Sequence, residues 1–74
     1  MKIKIQVELT FPADLKDEPV LYKMGRDFKV IPNVLEASFS TEMGWAIVTM
    51  EGEEAEVNRL FDYLRTRNVT ITRR

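Results

Sequence analysis

The sequence predicts an α+β domain built in the order β-α-β-β-α-β, with two helices on one face of a four-stranded sheet. The period of its apolar residues predicts this, because it changes from strand-like to helical and back, twice. Ile3, Ile5, Val7, Leu9 and Phe11 alternate with Lys2, Lys4, Gln6, Glu8 and Thr10, the pattern of a strand with one buried face. The spacing becomes helical from Glu18 to Phe28 and strand-like again from Val34 to Met50. Val57, Leu60, Phe61 and Leu64 restore the helical spacing, and Val69 and Ile71 close with alternation. This is the split βαβ layout of ferredoxin-like domains, and it leaves one sheet face free of helices.

The first strand runs from Lys2 to Phe11 and ends at Pro12, which has no N–H for a ladder. A polar connection over Ala13 to Asp17 leads to a helix with Asp17, Glu18 and Pro19 at its start, where carboxylates and proline both suit a helix N-terminus. Leu21, Met24 and Phe28 share one face of that helix, with Val20 flanking it. Gly25 lies on the same face and is expected to permit close approach to the sheet. Pro32 is expected to separate this helix from the second strand, in which Leu35, Ala37 and Phe39 alternate with Val34, Glu36, Ser38 and Ser40. Residues Ser40 to Gly44 read as a hairpin turn. In the third strand Ala46, Val48 and Met50 line one face and Trp45, Ile47 and Thr49 the other, and Gly52 is expected to break it. Glu53, Glu54 and Glu56 then open the second helix, and Arg65 and Arg67 close it, both in accord with the helix dipole. Asn68 suits a left-handed cap before the last strand, Val69 to Thr72.

With 74 residues and no linker or repeat, residues 1–74 read as one unit. The small core this allows makes self-association a natural source of added stability. There is no cysteine and no histidine, which excludes disulfides, thiolate metal sites and the commonest general base. Four carboxylates, Glu51, Glu53, Glu54 and Glu56, could suggest a hard metal, but a helix N-terminus attracts the same residues, so no metal or other cofactor is expected. Ser38, Ser40, Thr70 and Thr72 have no nearby base, which removes the case for a nucleophile and for an enzyme. Acylphosphatases share this layout, but their Gly-rich phosphate loop has no counterpart in Phe11-Pro12-Ala13-Asp14. RNA-recognition motifs share it too, yet they stack bases on aromatics of the first and third strands. Here the first strand offers no outer aromatic and the third only Trp45, with a net charge of −1. The basic corner of Lys2, Lys4, Arg73 and Arg74 is small, so nucleic acid is not an expected partner. No apolar run is long enough to cross a bilayer, and the chain enters a strand without a signal-peptide pattern, so a cytoplasmic protein is expected.

The outer sheet face is more informative. If helices cover Ala46, Val48 and Met50, then Trp45 and Ile47 point away from them, and Val34 of the neighbouring strand is expected to point the same way. Exposed apolar side chains grouped on a sheet usually have a partner, so Val34, Trp45 and Ile47 form the expected interface. A one-residue slip of the third strand would reverse this assignment.

Several short runs in fixed order carry a resemblance. Leu9-Thr10-Phe11-Pro12, then Glu18-Pro19-Val20-Leu21, Asn33-Val34-Leu35, Gly44 followed by alternating apolar residues up to Gly52, and Asn68-Val69-Thr70-Ile71 together resemble the NIL domain, over nearly all of Lys2 to Thr72. That family is named for an Asn-Ile-Leu signature, and Val34 stands here in place of the Ile. The resemblance implies an ACT-like ferredoxin fold with strand order 4-1-3-2. NIL domains are best known at the C-terminus of the ATPase subunit of bacterial methionine importers, where they pair, bind methionine near the pairing surface and inhibit transport. Others stand alone or beside iron–sulfur ferredoxin modules. The signature Asn is associated with methionine recognition and matches Asn33, which makes Asn33, Val34 and Leu35 the expected ligand-binding residues. An Asn amide offers donors and an acceptor to an amino acid's zwitterion, although an Asn after proline can equally satisfy a turn. The chain has no Gly-rich phosphate loop and no cysteine for a cluster. A regulatory module that senses methionine or a related sulfur amino acid at or near a homodimer interface is therefore expected. The alternative is a protein-interaction module that docks a transporter or ferredoxin-type partner through the outer face.

Overall fold

The computed structural model describes residues 1–13, 20–40 and 42–74. The connection through Asp17, the helix start at Glu18 and Pro19, and Thr41 of the hairpin lie outside these residues, as does the side chain of Leu21. Six elements follow one another: β1 (Lys2–Pro12), α1 (Val20–Arg26), β2 (Val30–Phe39), β3 (Met43–Glu53), α2 (Glu54–Thr66) and β4 (Thr70–Arg73). The strands form one antiparallel sheet in the order β2-β3-β1-β4, which is 4-1-3-2 read from the other edge.

Residues opposite one another in an antiparallel ladder project to the same face. Val7 faces Val48 and Leu9 faces Ala46, and all four are fully buried beneath Val20 and Met24 of α1 and Val57, Leu60, Phe61 and Leu64 of α2. The alternation in β1 and the helical spacing in α2 thus meet in one core. The end of α2 is fixed by its backbone. Asn68 takes φ 63°. Its N–H donates to the Arg65 carbonyl at 3.0 Å, and the Val69 N–H donates to the Leu64 carbonyl at 3.1 Å. That pair of bonds is the Schellman motif, accompanied here by burial of both Leu64 and Val69.

Four local expectations need correction. Pro32 does not separate α1 from β2; it lies inside β2, opposite Met50. The hydrogen-bond parity explains how. The Arg74 N–H donates to the Gln6 carbonyl, so even-numbered residues of β1 turn their main-chain groups toward β4 and odd-numbered ones toward β3. Val48 and Met50 then point theirs at β1, and the residues opposite them in β2, Val34 and Pro32, turn theirs outward. Proline is tolerated because the N–H it lacks would face away from the sheet.

Gly52 does not break β3, which continues to Glu53. It is buried, and a Cβ there would stand 2.7 Å from the Lys29 carbonyl oxygen, so glycine lets β2 begin close against β3. Gly25 is not a point of close approach. It is exposed, has no positive φ, and an added Cβ would meet only Pro32 side-chain atoms at 3.8 Å. Gly25→Ala should therefore stabilise the protein by about 0.5–1 kcal/mol, because the unfolded chain loses freedom and the folded chain gains no clash. An unchanged or lower urea midpoint would contradict this.

The fourth correction concerns faces. A bulge between Val34 and Glu36 shifts the register of β2. Val34 faces Val48, and beyond the bulge Ala37 faces Ala46. Both therefore project to the helix side. Val34 does not share the outer face with Trp45 and Ile47.

Candidate functional site

The three expected ligand-binding residues sit at or beside the bulge of an edge strand. Asn33 is exposed on the outer face, opposite Thr49, which in turn faces Gln6 of β1. By the same parity its main chain is directed into the ladder with β3. The main-chain groups turned away from β3 belong to its neighbours: the carbonyl of Pro32 and both groups of Val34. Val34 projects to the other face and is 44% exposed, and Leu35 at the bulge is 52% exposed. The sequence run Asn33-Val34-Leu35 thus splits into a polar amide on one face, an apolar side chain on the other and a second apolar one at the strand's rim.

Trp45 and Ile47 are both half-buried on the outer face. Trp45 lies between Ser38 and Thr10, and Ile47 between Glu36 and Glu8. Glu8 is paired with Arg74, whose Nη1 donates to its Oε1 at 2.7 Å. Hydroxyls and carboxylates therefore flank the two apolar side chains.

Greater apolar exposure lies along β2 itself. Ile31 is 69% exposed and Phe39 56% exposed. The ring of Phe39 rests over Gly44, 5.7 Å from the buried ring of Phe11. Glu36 is the one charged residue of β2. Solvent-facing strand edges are commonly protected by lysine, and β1 carries Lys2 and Lys4 beyond the reach of β4, which pairs only with Val7–Thr10. β2 carries no lysine, and its edge is interrupted instead by Pro32 and by the bulge after Val34. Sequence reading assigned Phe39 to the core-facing set and passed over Ile31. Its alternation gave the correct face for Phe39, but alternation cannot say that β2 is an edge strand whose helix side lies partly uncovered.

Among the described residues no group of three potential ligating side chains could hold a metal ion, and no helix is long and apolar enough to cross a membrane.

Comparison with known proteins places these features. The family model of the NIL domain matches residues 5–73. The chain belongs to the NIL domain family. It is 32% identical over 69 residues to a methionine import ATP-binding protein, MetN 1, of Listeria innocua. It is 30% identical over 69 residues to the proteins of the same description in two strains of Listeria monocytogenes. Each alignment covers 88% of this chain but only 20% of the relative, so the chain spans about one fifth of the length of these proteins. The matched span includes Asn33, exposed beside the bulge of β2.

Proposed function

We propose that this chain is a non-enzymatic regulatory module that binds methionine or a related sulfur amino acid beside Asn33, Val34 and Leu35 and works as a pair of identical chains. The observation that carries this reading is membership of the NIL family with relatives named for methionine import. The geometry supports it in two ways. Asn33 presents both kinds of hydrogen-bonding group to solvent, next to apolar Val34 and Leu35 that suit a thioether chain. The open edge of β2 supplies main-chain groups and apolar side chains for a second copy, so the pairing surface would include Val34 and Phe39, with Trp45 and Ile47 contributing from the outer face. Such a module acts by linkage. Ligand shifts the paired state only by its differential affinity for that state. Its setting would be the cytoplasm, beside an ATP-binding transporter subunit.

If this is so, L-methionine raises the melting temperature of the protein. At ~100 times the dissociation constant the stabilisation is about 2.7 kcal/mol. Asn33→Ala should remove most of the shift, and D-methionine should produce less. A melting curve unmoved by millimolar L-methionine would favour the alternative, docking of a transporter or ferredoxin-type partner without a small ligand. For the pairing, sedimentation equilibrium at micromolar concentration should give a dimer that Phe39→Asp weakens. A monomer at all concentrations would refute that part of the reading.

A further inference from the structure

The first two turns of α2 hold the connection that launches β2. Arg59 donates from Nε to Glu56 Oε2 and from Nη2 to Glu56 Oε1, both at 3.0 Å. The same Nη2 donates to the Asp27 carbonyl at 3.1 Å, and the guanidinium lies 4.4 Å from the ring centroid of Phe28. Glu56 Oε1 also accepts the Lys29 N–H at 3.0 Å. Phe28 itself is buried, with Tyr63 of α2 5.4 Å away. From below, the bare Cα of Gly52 sits against the Lys29 carbonyl. Three consecutive residues, Asp27 to Lys29, are therefore held from two sides, and β2 starts at the next one.

We propose that Glu56 and Arg59 are positioning residues for Asn33. This rests on the reading that Asn33 holds the ligand. As an edge strand, β2 has a ladder on one side only, so the ties at its ends add to that ladder in placing it. One tie is this clamp, and the other is the hairpin, where the Ser40 N–H and Oγ both donate to the Met43 carbonyl. The bulge between Val34 and Glu36 lies between the two ties. A bulge interrupts the ladder and absorbs local displacement, so Asn33, on the clamp's side of it, follows the clamp and not the hairpin. Hydrogen bonds from Arg59 and Lys29 hold the Glu56 carboxyl down to about 2, in accord with the contacts of the clamp.

The test compares Glu56→Ala and Arg59→Ala with Glu56→Gln, which retains an oxygen for the Lys29 N–H. Amide proton–nitrogen spectra are recorded on each, with L-methionine titration alongside. In both alanine variants the resonances of Asn33 and Val34 should move while those of Glu36 to Phe39 stay. Methionine affinity should fall about tenfold, within the range of coupling through packed elements. Glu56→Gln should stay near wild type in both measurements. Unmoved Asn33 and Val34 resonances, or movement spread equally across the bulge, would overturn the proposal. So would wild-type methionine affinity in both alanine variants, which would leave the methionine reading standing. A wild-type protein that takes up no methionine would sink that reading, and the amide shifts would still decide the positioning role. Should an alanine variant fail to fold, Arg59→Lys, which keeps the charge but loses the two-pronged contact, is read against the same criteria.

Discussion

Leu60→Ala should cost about 2–5 kcal/mol of folding stability, the range for deleting a fully buried leucine and leaving a cavity. Leu60 has no exposed surface and lies in the core among the other buried side chains of α2 and the inner face of the sheet. Its loss matters more here than in a larger protein. At roughly 0.05–0.15 kcal/mol per residue, a 74-residue chain has about 4–11 kcal/mol in total. The substitution should therefore bring the protein close to unfolding at physiological temperature. Urea denaturation followed by circular dichroism gives the midpoint directly. A loss under ~1 kcal/mol would mean that the core does not close over α2 as described.

Gly52→Ala should cost about 1–3 kcal/mol, the penalty of forcing atoms into a filled space. The added Cβ would stand 2.7 Å from the Lys29 carbonyl oxygen and 3.3 Å from the Val30 Cα. Both are backbone atoms, and Lys29 is tied on its other side by Glu56, so nothing nearby can give way cheaply. The contrast with Gly44 sharpens the expectation. A Cβ there would run into the Phe39 ring, but that ring is 56% exposed and free to rotate away. Gly44→Ala should therefore cost less than Gly52→Ala. Equal midpoints for the two variants would contradict the close approach of β2 to β3.

What the sequence disclosed and what it hid divide along physical lines. Period switching gave the order of elements and the buried set of β1, β3 and α2, because in these the burial of one face is continuous and imposes its period on the residues. Asn68 was legible for a similar reason: few residues other than glycine accept a positive φ. The structure of β2 was not legible. Its edge position was expected from the strand order 4-1-3-2, but its proline looks like a terminator until the register shows that the missing donor faces outward. Its bulge reverses the parity of every residue on one side of Leu35, so Val34 fell on the wrong face. Gly52 looked like a break because close approach of another strand leaves no mark in local sequence. The family resemblance drew attention to Asn33, yet only the ladder register shows that its amide lies on the outer face and the Val34 side chain on the helix side.

The most direct test is isothermal titration calorimetry of L-methionine into the 74-residue chain, with Asn33→Ala and D-methionine as controls. The methionine-binding reading predicts saturable, stereoselective heat that Asn33→Ala abolishes while its unliganded melting temperature stays near wild type. Heats of dilution alone up to millimolar L-methionine, or saturable binding that Asn33→Ala leaves intact, would contradict it.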